Sequence, residues 1–240
     1  MVTVDSASLD STAPIRATAP LSRIVRITAG VSLALAGLLN GLPAYLSQLL
    51  AGDLEYSDYL LWGAANPELA QVEQLAYVVS MLFAPIGLLA IAQVTRWRAP
   101  VLTAIAAPLF VWGMWGFQNI LGFGYLTVST AARSIGTEAA VGLNDGLAAD
   151  TPGLLISLLP HLVGSFVGLV LLSIACWKSR AFSRIPLILM IAFLIWDFLL
   201  PSAGLLEPHI LLVIAWVWLG IDLIRMPEPV WRGEASARRK

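Results

Sequence analysis

From 27 to 50 the chain carries no Asp, Glu, Lys or Arg, and the same holds for 74–94, 101–122 and 152–177. Two further apolar runs, 185–200 and 210–224, carry one carboxylate each, Asp197 and Asp222. About 20 consecutive apolar residues suffice for a helix to cross the roughly 30 Å hydrocarbon core of a bilayer. Only 12% of the 240 residues are charged and the mean hydropathy is +0.82, against about 25% charged in a soluble domain. The expectation is an all-α fold, a polytopic membrane bundle of six transmembrane helices in one domain.

The connections fix the orientation expected of that bundle. With six spans both termini lie on one side. Of the 14 Lys and Arg, every one except Arg133 falls on that side. The opposite connections hold Asp53, Glu55, Asp58, Glu68, Glu73, Glu138, Asp145, Asp150 and Glu207. Excess Lys and Arg mark cytoplasmic connections, so both termini are expected in the cytoplasm and the protein in the cell membrane. Residues 1–22, rich in Ala, Ser, Thr and Pro, read as a mobile cytoplasmic tail. Residues 23–226 read as the transmembrane domain and 227–240 as a basic cytoplasmic tail. A cleaved signal peptide is not expected, because the run from 24 to 50 exceeds the roughly 7–15 residues of a signal core.

Two connections are longer. Residues 51–72 pair carboxylates with Tyr56, Tyr59 and Trp62, which suits a loop at the membrane surface. Residues 123–152 are expected to hold one short surface helix near 128–141, either a lid over a site or a surface-bound segment.

Polar groups inside the apolar runs are few and gather at one depth. At 1.5 Å per residue, Asn40, Gln118, Asn119, His161 and Asp197 all fall roughly 20–30 Å from the basic ends. That is the outer half of the bilayer. Asp222 is the exception, and its expected partner is Arg225, three positions on. Pro43, Pro160 and Pro201 lie at the outer depth too. Each lacks an amide hydrogen and so frees the carbonyl four residues earlier, on Leu39, Ile156 and Asp197. Unpaired backbone in a bilayer survives where it is buried in protein or lines a wet cavity. A carboxylate at mid-membrane costs about 2.5–3.5 kcal/mol, so Asp197 needs a partner, and His161 is the natural one in the adjacent run.

Asn40, Gln118, Asn119, His161 and Asp197 are therefore the candidate pocket, for binding or transport of a small molecule, a lipid or a proton; a structural or accessory subunit of a membrane complex is the alternative function. A structural His161–Asp197 bond fixing helix packing is the plainer alternative. Acid–base catalysis by the same pair is a third. Gly30, Gly37 and Gly41 recur on one helix face. Small residues let helices approach closely, either within the bundle or against a partner subunit. Beyond the lipid bilayer, no partner class is implied by charge: a net charge of −1 gives no footprint for nucleic acid.

No cofactor or metal is expected. HExxH, CxxC, GxSxG and P-loop patterns are absent. Haem ligation would need His161 and His209 to face each other at one depth, and His209 falls in a short surface link. Cys176 is the single cysteine, which excludes an internal disulfide and reads as a small apolar packing residue.

Arg26-Ile27-Thr28-Ala29-Gly30, the run from Gly168 through Trp177 to Arg184, and Trp218-Leu219-Gly220 through Arg225 together resemble small six-helix membrane proteins common in actinobacteria. That resemblance implies the six-helix architecture and no catalytic residue. The basic hairpins around Arg96 and Arg180 look alike, through internal duplication or through the charge rule for cytoplasmic turns.

Overall fold

The charge-free runs become long helices. The computed structural model describes residues 19–52, 56–121, 127–149, 151–200 and 207–234. Most of the N-terminal tail, Asp53, Glu55, Asp150, Pro201 and the last six residues lie outside them. In chain order the helices are α1 (Ala19–Ala51), α2 (Tyr56–Ala65), α3 (Pro67–Thr95), α4 (Pro100–Asn119), α5 (Thr127–Ile135) and α6 (Thr137–Ala149). Next comes α7 (Thr151–Gly153), with two π-helical segments, Leu154–Leu158 and Pro160–Ser165, running directly into α8 (Phe166–Ser179). The chain then forms α9 (Arg184–Leu199), α10 (His209–Arg225) and α11 (Glu228–Trp231). Among the described residues there is no strand.

Four of these helical stretches are long and apolar enough to cross a membrane: Leu21–Ala51, Pro67–Thr95, Pro100–Asn119 and Leu155–Ser179. Helices α9 and α10 are shorter, 16 and 17 residues. The stop of α9 has a local cause. A residue before proline is pushed out of the helical region, and Leu200, next to Pro201, is extended at φ −112° and ψ 148°. The surface segments also differ from expectation. Residues 56–65 are helical, and 127–149 form two helices broken at Gly136, whose φ of +90° favours glycine.

The long helices close into a ring: α1 packs on α3, α3 on α4, α4 on the second π segment and α8, α8 on α9, α9 on α10, and α10 back on α1. Glycines set the tightest seams. A β-carbon at Gly30 would sit 2.5 Å from the Gly220 carbonyl oxygen, and one at Gly37 would sit 2.9 Å from Trp216 Cβ. Gly41 meets Val213 and the His209 carbonyl in the same way. The Gly30/Gly37/Gly41 face is therefore filled by α10 of the same chain and presents no free stripe to a second protein.

The basic turns gather at one end of the ring. Arg98 Nη1 donates to the Ser179 carbonyl (3.1 Å), and a β-carbon on Gly233 would meet the Trp97 ring at 2.5 Å. Arg26 Nη1 donates to the Met226 carbonyl (2.8 Å) and lies 2.9 Å from Glu228 Oε2, which also accepts from Ser22 Oγ (2.8 Å). Residues 228–234, expected as part of a basic tail, thus dock on the start of α1, with Val230 and Trp231 buried. Asp222 does not pair with Arg225. It accepts from the Ser183 backbone N–H (2.8 Å) and hydroxyl (3.2 Å), pinning the entry to α9. This half of the ring interior is filled by side chains including Leu33, Ile91, Leu172, Leu194 and Leu223, all buried.

Candidate functional site

Helices α9 and α10 are shorter than the continuous helical stretches beside them, α1 and Leu155–Ser179, and the opposite half of the ring is hollow. The His209 carbonyl is level with Gly41, yet α1 continues ten residues further to Ala51, about 15 Å at helical rise. Beside and below that step lies a cavity of about 440 Å³ to which every ring helix contributes. Small-molecule sites run roughly 300–1,000 Å³.

From α1 come Asn40, Ser47 and Gln48, and from α3 come Glu73, Gln74 and Tyr77. Helix α4 gives Met114 and Phe117, and the second π segment gives His161 and Ser165. Helix α9 gives Phe193, Asp197 and Phe198, while Glu207 and His209 stand where α10 begins. Trp216 and Leu169 line the end facing the filled half. Trp216 is held there by an Nε1–H contact to Met190 Sδ at 3.4 Å.

His161 and Asp197 thus share one cavity with Asn40 but share no hydrogen bond. The partner expected from the sequence is replaced by another. His209 Nδ1 lies 3.8 Å from Asp197 Oδ1 and 2.5 Å from Glu207 Oε1. The Glu207 carboxylate also accepts the His209 backbone N–H at 2.7 Å, satisfying an amide that a helix start leaves unpaired. A carboxylate there also meets the positive end of the helix dipole. His209, read from sequence as a surface-link residue, is a wall residue with its side chain 20% exposed. His161 Nδ1 is 3.3 Å from Ser165 Oγ, and its ring stacks on Phe117 at 4.6 Å and 19°. Phe117 meets Tyr77 edge-on at 6.1 Å. Phe198 lies 5.8 Å from His161, and Phe193 lies 5.1 Å from His209. An aromatic band therefore runs round the cavity between its polar groups.

Gln118 and Asn119 are not on this wall. Asn119 Nδ2 donates to the Ile156 carbonyl at 3.1 Å, the acceptor whose α-helical i+4 donor is missing at Pro160. Gln118 Oε1 is buried without a hydrogen-bond partner among the described residues. The π turns at 154–165 occur where Pro160 interrupts the ladder, and π-bulges are frequent at functional sites. Close contact with α4 fixes their position. A β-carbon at Gly116 would stand 2.6 Å from the His161 backbone nitrogen, and one at Gly164 2.5 Å from that of Gly113.

Sequence reasoning missed Glu73, Glu207 and His209. For Glu73 the signal existed: Glu73, Ser80, Gly87 and Val94 recur every seven residues and all are buried, so the inward face of α3 extends to the carboxylate. Among the described residues no group of three or more His, Cys, Asp and Glu is arranged to hold a metal ion. Compared with family models, curated proteins and solved structures, the chain has no match.

Proposed function

We propose that this is a six-span membrane protein with both termini in the cytoplasm, which binds a small molecule in a pocket opening to the non-cytoplasmic side. The observation that carries this reading is the cavity itself: about 440 Å³, walled by all the ring helices, at the end remote from the basic turns. Buried polar groups in a bilayer are expensive and mark ligand or ion pathways. Here Asn40, Glu73, His161, Ser165, Asp197 and His209 line one space. In this reading α9 and α10 complete the spans, and the charge asymmetry of the connections sets the direction. The end closed by Trp216 and Met190 favours one-sided binding over a path through the membrane.

The test is thiol accessibility. Cys176 is fully buried, so Ser47→Cys and Ser165→Cys can each be introduced with Cys176→Ala. A membrane-impermeant maleimide added to intact cells should label both. Labelling only after the cells are permeabilised would reverse the orientation. Absence of labelling in either condition would remove the pocket.

A further inference from the structure

We propose that the ligand of this pocket is an organic ammonium ion, an inference that rests on the pocket reading above. Its carboxylates are Glu73, Asp197 and Glu207, and no Lys or Arg stands on its wall among the described residues. Two imidazoles, His161 and His209, offset at most two of those three charges. With the carboxylates ionised, the cavity is formally negative in either histidine state. An anionic guest therefore meets net repulsion, screened less beside a low-dielectric wall than in bulk water.

The rest of the wall narrows the kind of cation. Tyr77, Phe117, Phe193, Phe198 and Trp216 line the space, and aromatic rings attract cations, quaternary ammonium groups above all. Asp197 and Glu207 meet at His209 Nδ1, at 3.8 and 2.5 Å, but among the described residues no three or more His, Cys, Asp and Glu are arranged to hold a metal ion. A metal ion needs converging oxygens, whereas a charge spread over alkyl groups fits a distributed acidic and aromatic lining.

Asn40 supplies the independent sign of a guest. It is 5% exposed and lines the cavity, where its carboxamide, open to that space, has no hydrogen-bond partner among the described residues. A guest carrying an N–H or hydroxyl group beside its cationic centre would provide one.

The test uses the purified full chain carrying Cys176→Ala and Ser165→Cys, and protection of the new thiol from N-ethylmaleimide. Three probes share one branched head: choline (cationic), 3,3-dimethylbutan-1-ol (its neutral carbon counterpart) and 3,3-dimethylbutanoate (anionic). Choline should protect at a concentration at least about tenfold lower than the alcohol, and the carboxylate should not protect. Asp197→Asn should raise the choline concentration needed toward that of the alcohol while leaving the alcohol unchanged. Glu73→Gln gives the same reading if Asp197→Asn does not fold. Equal protection by choline and the alcohol, or better protection by the carboxylate, overturns the cation inference and leaves the pocket intact. A thiol that never reacts overturns the pocket.

Discussion

Proline, asparagine and a freed carbonyl form the smallest working unit of this fold. Pro160 has no amide hydrogen to give Ile156, and hydrocarbon offers no water as a substitute. Asn119 Nδ2 fills the gap from α4 at 3.1 Å. Asn119→Leu should therefore destabilise the protein by about 1–2 kcal/mol, read as a lower Tm in detergent. The loss should shrink in the Pro160→Ala background, where the chain can supply its own N–H. Equal losses in both backgrounds would mean that the bond does something else. The sequence shows that Ile156 is freed and that Asn119 lies at a suitable height, but helical rise gives height and not the direction in which a side chain faces. Asn119 consequently reads as a pocket residue from sequence when it is a repair. Asp197 suffers the converse error: His161 has the right height, but His209, brought in by the early end of α9, is nearer. At the other end, burial pushes the Glu228 carboxyl up, but hydrogen bonds from Ser22 and Arg232 and the charges of Arg26 and Arg232 outweigh it and hold its pKa below the usual 4.5. A depressed carboxyl contributes stability above its unfolded pKa and loses it as pH falls through the folded value. The Tm difference between the wild type and Glu228→Gln should thus be constant near neutrality and close as the pH drops below about 4. A difference that persists in acid would assign the contribution to shape rather than charge.

At the level of whole helices, contact without a side chain decides which pairs form. In lipid no hydrophobic drive separates one helix pairing from another, so close backbone approach matters most. Gly164 is one such contact: a β-carbon there would lie 2.5 Å from the Gly113 nitrogen and 2.6 Å from the Leu109 carbonyl oxygen. Gly164→Ala should force α4 and the π segment apart and cost roughly 1–3 kcal/mol, the usual cost of overpacking. Gly142, helical in α6 with nothing within 4 Å of where a β-carbon would stand, is the control. Gly142→Ala should be neutral or stabilising by up to about 1 kcal/mol, the helix-propensity difference. Similar thermal shifts for the two variants would deny the seam its role. The existence of the long helices was legible because charge-free runs have one outcome in a bilayer. Their partners were not, since Gly30, Gly37 and Gly41 suit an internal or an external neighbour equally until α10 is seen to occupy them. The break at Gly136 was hidden for a related reason: glycine permits the left-handed turn that divides α5 from α6 but does not demand it.

Across the whole molecule, the hollow end and the filled end follow from unequal helix lengths in one ring. Helices α1 and α3 run 33 and 29 residues, while α9 and α10 run 16 and 17. The short pair is anchored at the basic end, where Asp222 holds Ser183 and Arg26 holds Met226. All of its deficit therefore appears at the far end, where Asp197, Glu207 and His209 meet the cavity. A helix of 17 residues covers about 25 Å, less than a full hydrocarbon core. If α9 and α10 complete the spans as proposed above, water must reach down to Pro208 at the start of α10, and a pocket opening to the non-cytoplasmic side would let it do so. Pro208→Cys, at the tip beside Glu207, tests both statements together in a Cys176→Ala background. An impermeant maleimide should label it in intact cells, whereas Ala181→Cys, in the turn between α8 and α9, should react only after permeabilisation. If Pro208→Cys stays unreactive under both conditions while Ala181→Cys behaves as expected, the hairpin ends within hydrocarbon. The bundle would then have four spans and a re-entrant pair in place of six.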